Sequence, residues 1–140
     1  MSAVDNKKLM QEIFAAVARG ERTAYVDRLA DDVIMTVTGQ YSWSRTFRGK
    51  ESVMRDLYGY VASRVNEVRR TIPIRVLADE DWVVVEAVGD MTTREGTRYD
   101  NQYCLLYRLR DGKIVEIREY NDSILCERVL GPYPVNRFAS

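Results

Sequence analysis

The chain of 140 residues carries 21 Lys and Arg against 21 Asp and Glu, so its formal net charge at neutral pH is zero. This balance gives no electrostatic case for binding nucleic acid or an anionic membrane, and no apolar run approaches the roughly 20 residues of a membrane span. With 46% hydrophobic residues, the chain fits one domain over residues 1–140. We expect its core at about 5–131 and a loose tail at 132–140.

The absence of histidine narrows the chemistry that the chain can perform. It removes the commonest general base, the Ser-His-Asp triad and most zinc sites. The sequence also lacks a Walker loop and a glycine-rich dinucleotide motif. Proton chemistry must therefore use carboxylates, tyrosines, lysines, cysteines or water, and we expect neither a metal nor a cofactor.

The N-terminal residues have no apolar signal core, which predicts an intracellular, cytoplasmic protein. In that compartment Cys104 and Cys126 are expected to be free thiols packed in the core.

Helices are predicted first along the chain. Apolar residues recur at helical spacing over 5–19, Thr23 can cap a short helix through Leu29, and a third helix is expected at 50–65. Between them, VIMTV (33–37) predicts a strand and residues 38–49 a loop.

From residue 71 the pattern changes to strands. Strands are predicted at 71–78, 82–93, 97–110 and 113–122. Pro73 indicates an edge position for the first of them, and Asp111-Gly112 a tight hairpin turn. Helices followed by an antiparallel meander predict an α+β domain, with three helices packed on one face of a curved sheet and a hollow between them.

The last predicted strand has a polar face. Because side chains alternate along a strand, Val115 and Ile117 point one way, and the polar side chains point the other way. Those side chains are Glu116, Arg118, Tyr120 and Asp122. Such a face either meets water or lines a cavity, and we interpret it as lining a cavity.

Three segments resemble a known family: LADDVIMTVTG (29–39), FRGKESV (47–53) and DGKIVEIREYND (111–122). Together with the order of elements, they resemble the SnoaL-like, ketosteroid-isomerase-related group of the nuclear transport factor 2-like superfamily. The resemblance implies a sheet wrapped around three N-terminal helices as a cone with an internal pocket. Its members include isomerases, polyketide cyclases, epoxide hydrolases, dehydratases and non-catalytic binding proteins, and one fold can host many functions.

The resemblance also implies a catalytic residue. In the polyketide cyclases and limonene epoxide hydrolase, an aspartate at the end of the last long strand is catalytic, and Asp122 occupies that place. The arginine and second aspartate of the epoxide hydrolases are absent, because Ala87 and Gly89 stand about where they should be. The aspartate and tyrosine of the ketosteroid isomerases are also missing from the first strand and from the first helix, which offers Ile13 and Phe14.

Two interpretations of Asp122 remain open. In a pocket, loss of solvation would raise its pKa and suit it to acid or base chemistry, unless Arg118 pairs with it and lowers that pKa. Alternatively, Asp122 or Ser123 caps a helix that starts after the strand.

Further residues are candidates for binding a substrate. They are Tyr25, Met35, Trp43, Tyr58, Asn101, Tyr103, Arg118 and Tyr120. The aromatic loop with Tyr41, Trp43 and Phe47 is interpreted as a lid over the pocket or as a dimer contact, and Arg69-Arg70 as a solvated edge.

The function expected from these features is cofactor-independent acid/base chemistry on a small hydrophobic molecule that carries oxygen: isomerisation, cyclisation, dehydration or epoxide opening. The alternative is a non-catalytic binding protein of the same fold. Since Val115 and Ile117 suggest that something covers their face too, we also expect a homodimer through the outer face of the sheet.

Overall fold

Helices occupy most of the first half of the chain in the computed structural model, which describes residues 1–134. The helices are α1 (Ala3–Ala18), α2 (Thr23–Arg28), α3 (Lys50–Ser52), α4 (Gly59–Arg64) and α5 (Ser123–Leu130), and a π-helical segment, Val53–Tyr58, joins α3 to α4. A capping box begins α1, because Ser2 Oγ accepts from the Asp5 N–H and the Asp5 carboxylate accepts from the Ser2 N–H. The three predicted N-terminal helical regions are confirmed.

Within residues 1–134, six strands form one curved sheet. They are β1 (Leu29–Val37), β2 (Thr46–Arg48), β3 (Arg70–Asp79), β4 (Trp82–Asp90), β5 (Gln102–Arg110) and β6 (Lys113–Asn121), in the order β2-β1-β6-β5-β4-β3. All neighbours are antiparallel except β1 and β6, which are parallel. The predicted α+β architecture is confirmed. Pro73 lies in the edge strand β3, where a residue without an N–H is tolerated.

A β-bulge near the start of β6 determines which side chains face the helices. The register steps from Leu109↔Ile114 to Arg108↔Glu116, so Val115 is an extra residue on β6. Ile114 and Ile117 are therefore both fully buried although three positions separate them. Beyond the bulge the alternation continues, and Glu119 and Asn121 follow Ile117 on the inner face.

The core lies between the inner face of the sheet and the helices. Its fully buried members include Met10, Leu29, Val33, Met35, Val53, Val83, Val85, Ile114 and Ile117. Burying each large apolar side chain contributes about 1.5–3 kcal/mol to folding. α1 crosses β3 and β4, which places Ile13 and Phe14 against the sheet.

The segment after β6 forms the fifth helix. Asp122 is its N-cap, and Asp122 Oδ1 accepts a hydrogen bond from the Leu125 N–H at 3.1 Å. The capping interpretation of Asp122 is therefore the one that the structure bears out.

The predicted loose tail begins too early. Tyr133 is 2% exposed, its hydroxyl donates to the Asp56 carbonyl at 2.9 Å, and its N–H donates to Ser42 Oγ at 2.8 Å. Trp43 and Phe47 pack on its ring. The chain is thus anchored through residue 133, and the remainder of the predicted tail, 135–140, lies outside the described residues.

Cys104 and Cys126 are both free thiols, as predicted, but only Cys126 is buried. Cys104 is exposed, since it lies on the outer face of β5, so its placement in the core was wrong. No helix in the described part of the chain is long and apolar enough to cross a membrane.

Asn101, predicted as a pocket donor, instead joins two segments of the backbone. Its side chain is fully buried; Oδ1 accepts from the Asp122 N–H at 2.9 Å and the Gln102 N–H at 2.7 Å. Its Nδ2 donates to the Asp122 carbonyl at 3.2 Å and the Tyr99 hydroxyl at 2.9 Å. The amide therefore fastens the end of β6 to the segment before β5 and does not line the cavity.

Replacing this amide should destabilise the protein. We expect Asn101→Ala to lower the free energy of unfolding by about 3 kcal/mol, because it leaves buried backbone groups of Asp122 unpaired. Gln102→Ala, at the exposed neighbouring position, should stay close to wild type. Urea denaturation of the three proteins measures this, and equal stability of the two variants would contradict the assignment.

Candidate functional site

A cavity of about 290 Å³ lies between the helices and the inner face of the sheet. Its walls are mostly apolar and come from α1, α2, the π-helical segment, α4, the 38–45 loop, the inner faces of β5 and β6, and α5. The lining includes Phe14, Val17, Tyr25, Trp43, Met54, Leu57, Tyr58, Tyr103, Leu105, Tyr107, Glu119, Asn121, Cys126 and Leu130. Such a volume suits a small organic molecule.

Glu119 is the one carboxylate among the described residues that line this cavity. The residue is half-buried, and its carboxylate faces the enclosed space. Burial raises the pKa of Glu119 above its ordinary 4.5, because the charged form loses solvation. Asn121 Nδ2 donates to Glu119 Oε2 at 2.8 Å, which opposes that rise only in part.

Three tyrosine hydroxyls meet on the helical side of the cavity. The Tyr25 oxygen lies 2.7 Å from the Tyr58 oxygen and 3.1 Å from the Tyr107 oxygen, so Tyr25 is the central member of the cluster. Burial raises the pKa of Tyr25 to about 12 and the pKa values of Tyr58 and Tyr107 well above 10. All three hydroxyls therefore stay protonated and can act as hydrogen-bond donors.

The 38–45 loop forms another wall and is fastened to α5. Trp43 Nε1 donates to the Gly131 carbonyl at 2.9 Å, and the Ser42 N–H donates to the Glu127 carboxylate at 3.0 Å. The Tyr41 hydroxyl donates to Asn121 Oδ1 at 3.0 Å. Tyr41, Asn121 and Glu119 thus form one hydrogen-bonded chain that ends at the carboxylate.

Tyr99 and Cys126 complete this wall of the cavity. Burial raises the pKa of the Cys126 thiol to about 11, so the thiol stays neutral at physiological pH.

Half of the predicted substrate-binding residues line the cavity. Tyr25, Trp43, Tyr58 and Tyr103 do so. Met35 is fully buried in the core beside β6 and does not reach the cavity, and Asn101 is the backbone clamp described above.

The polar face of β6 was assigned to the wrong side of the sheet. The Asp122 side chain is exposed and caps α5, Tyr120 is 44% exposed, and the Arg118 guanidinium lies 5.9 Å from the centre of the Tyr120 ring. Glu116 forms an ion pair with Arg108 at 3.2 Å. These four residues lie on or beside the outer face, because Ile117, which alternates with them, packs into the core.

Sequence reasoning missed Glu119, Asn121 and two arginines that line the cavity, Arg22 and Arg69. A signal for the first pair was present: Ile117, Glu119 and Asn121 share one face of a strand, and an apolar residue marks that face as the inner one. A carboxylate farther along that inner face is expected to lose contact with water. Arg69 was assigned to a solvated edge, and no spacing pattern connected it to Arg22.

Both a family model and a sequence relative match most of the chain. A sequence model described as a SnoaL-like domain matches residues 10–117. An uncharacterised protein of Mycobacterium tuberculosis H37Rv, Rv0034, is 27% identical over 112 residues, covering 80% of this chain and 85% of the relative.

Solved structures show the same fold. An NTF2-like protein from Burkholderia xenovorans LB400 superposes with a TM-score of 0.71 at 21% identity, covering 93% of this chain and 98% of that one. A protein from Jannaschia sp. CCS1, provisionally described as a SnoaL-like polyketide cyclase, gives a TM-score of 0.73 at 15% identity and covers 94% and 95%.

The raised pKa of Glu119 makes a prediction about stability and pH. Below about 4.5 the carboxyl group is protonated in both the folded and unfolded states; above it, the unfolded state ionises first, so stability falls as the pH rises through the folded pKa. Glu119→Gln keeps an acceptor for Asn121 without the charge. We expect its melting temperature to exceed that of wild type at about pH 8 and to match it at about pH 4.

Glu116→Gln is the matched control on the outer face of the same strand. It only breaks the ion pair with Arg108 and should give no gain at either pH. Thermal unfolding of the three proteins across this pH range measures the difference. A gain for Glu119→Gln that does not depend on pH would contradict the desolvated carboxylate.

Proposed function

The chain belongs to the SnoaL-like domain family of the nuclear transport factor 2-like superfamily, and from that premise we propose that it catalyses proton transfer on a small, mostly apolar molecule that carries oxygen. Its fold is one used by small-molecule isomerases and cyclases. The observation that carries the proposal is a single carboxylate, Glu119, in an apolar cavity among tyrosine hydroxyls.

Glu119 has the properties of a general acid or base. Its raised pKa brings proton uptake and release closer to neutral pH, where such a group is most effective. The chain from Tyr41 through Asn121 holds the carboxylate in one orientation, and the apolar walls keep bulk water from competing with it.

The tyrosine cluster supplies a donor for a substrate oxygen. Two hydrogen bonds link the three hydroxyls, and they use two of the three O–H donors. Among the described residues, the third O–H is left to donate to a ligand. A carbonyl oxygen held there would be stabilised as negative charge develops on it.

These groups together suit chemistry next to a carbonyl. Glu119 takes a proton from a carbon beside the carbonyl, the tyrosine donor stabilises the resulting enolate oxygen, and the proton is returned elsewhere on the same molecule. Isomerisation, ring closure and loss of water all begin with this step, and in this proposal none of them uses a cofactor. In this proposal the acid/base group is Glu119, and not Asp122 as the sequence predicted.

A non-catalytic small-molecule binder is the second candidate. It is favoured by the lining of the cavity, which is mostly apolar and offers Glu119 as its one described carboxylate. A binder needs shape and a few hydrogen bonds, both of which the tyrosine cluster and Trp43 provide.

Turnover of a panel of apolar ketones, diketones and epoxides separates the two candidates. Wild type should convert a member of the panel, and Glu119→Gln should lower kcat about a hundredfold or more. Asp122→Asn is the control and should retain wild-type kcat, because Asp122 lies outside the cavity. If Glu119→Gln keeps its activity the catalytic role is wrong, whereas saturable binding without turnover supports the binder.

We also propose that two copies of the chain associate through the outer face of the sheet. Ile117 is fully buried in the core of its own chain and cannot contribute to this contact, so the support comes from exposed apolar residues. Ile72, Ile74, Leu77 and Tyr120 are 39%, 57%, 55% and 44% exposed on that face. Val84 and Val88 extend the same surface, and an apolar patch of this kind is typical of an isologous contact.

Placing charge on this face should separate the copies. We expect wild type to sediment as a dimer and Ile74→Lys and Leu77→Lys as monomers, because each buries a lysine in the contact. Val4→Lys, at a position 77% exposed on α1, should remain dimeric. Sedimentation equilibrium measures the mass, and a monomeric wild type would overturn the proposal.

A further inference from the structure

One end of the cavity is lined by Arg22, Arg69 and Thr71, and we call this end the mouth. Arg22 is exposed and the other two residues are half-buried. By contrast, Trp43, Cys126 and Leu130, which also line the cavity, are each 2% exposed. The lining of the cavity therefore reaches the surface beside the two arginines.

Neither arginine at the mouth has an acidic partner within residues 1–134. Six other arginines do: Arg19, Arg55, Arg70, Arg75, Arg98 and Arg108. Glu21, next to Arg22 in sequence, is bound by Arg19 at 3.0 Å. Among the residues that the structure describes, the Arg69 guanidinium makes one hydrogen bond, to the Asn66 carbonyl at 3.5 Å.

The surroundings of the mouth are unfavourable for these charges. Burial lowers the pKa of Arg69, and the nearby charges of Arg22 and Arg94 lower it further, against a smaller opposing effect of Glu67. Arg94 is already engaged, because its guanidinium donates to the Ser63 and Ala62 carbonyls at 3.0 and 3.3 Å. An anion at the mouth would relieve this repulsion and provide the missing hydrogen-bond acceptors.

Glu119, inside the cavity, disfavours a nearby anion, whereas the arginines at the mouth favour one. Burial and the hydrogen bond from Asn121 act on the pKa of Glu119, whereas the neighbouring cations Arg22 and Arg94 act on that of Arg69. A negative group on a ligand is repelled by Glu119 and attracted to the mouth.

We propose that Arg22 and Arg69 form an anion-binding subsite that selects small apolar carboxylic acids. The ligand carboxylate stays at the mouth, and its apolar body enters between the tyrosines. The end remote from the carboxylate then faces Glu119. This inference rests on the cavity being a ligand site, as the proposed function requires, and it adds the class and the orientation of the ligand.

A displacement experiment tests the subsite with matched ligands. The protein is loaded with the neutral fluorescent dye phenylnaphthylamine, which is then displaced by octanoate or by octanol. The two ligands share a chain length and differ in the charge of the head group. At neutral pH and low salt, octanoate should displace the dye at roughly tenfold lower concentration than octanol.

Substitutions assign the difference to the two arginines. Arg22→Gln and Arg69→Gln should each lower the affinity for octanoate several-fold, toward the affinity for octanol, and leave the affinity for octanol unchanged. Arg110→Gln, at an exposed position outside the cavity, should alter neither ligand. Added salt should lower the affinity for octanoate and not that for octanol, because screening acts on the charged head group.

The outcomes separate this inference from the proposed function. If the dye binds but octanoate and octanol displace it equally, or if the arginine variants weaken both ligands equally, the anion subsite is wrong and the ligand cavity stands. If neither the dye nor the two ligands bind, the cavity is not a ligand site, and both proposals fail.

Discussion

One extra residue in β6 determines what faces the cavity. The bulge at Val115 brings Ile114 and Ile117 onto the same side of the sheet, where both are fully buried. Their burial fixes the phase of the strand beyond them, so Glu119 and Asn121 must point inward and Arg118 and Tyr120 outward. Moving the phase by one residue would place a guanidinium among the core side chains, at a cost that no partner there would offset. The position of the carboxylate thus follows from the packing of two isoleucines.

Much of the fold could be predicted from the sequence, because its signals are local. Helical spacing over 5–19, the turn at Asp111-Gly112 and the edge position of Pro73 each depend on residues close together in the chain, and each is confirmed. The resemblance supplied the arrangement of the elements. The parallel pairing of β1 with β6 joins segments about 80 residues apart, and no short pattern specifies it.

The candidate site was harder to predict, because its members are brought together only by the fold. Tyr25, Tyr58 and Tyr107 come from α2, the π-helical segment and β5, and the Tyr25 oxygen lies within 3.1 Å of each of the other two. The resemblance pointed to Asp122, at the end of the last predicted strand, but alternation alone does not say which face of a strand is inward. That decision depends on which side the helices cover, and the buried isoleucines show it. No local pattern marks Arg22 and Arg69, because whether an arginine has an acidic partner among residues 1–134 depends on the fold.

The wide helical turn of Val53–Tyr58 also shapes the cavity. The Gly59 N–H donates a hydrogen bond to the Met54 carbonyl, five residues earlier, which makes the turn wider than in an α-helix. A Cβ at Gly59 would lie 2.8 Å from that carbonyl oxygen, so the turn needs a glycine there. Met54, Leu57 and Tyr58 line the cavity from this segment, and Val61 and Ala62 line it from α4. Shortening this segment by one residue would restore regular helical geometry and rotate the preceding side chains by about 100° relative to those that follow. A single-residue deletion in this helix would therefore change which side chains line the cavity, while the sheet stays the same.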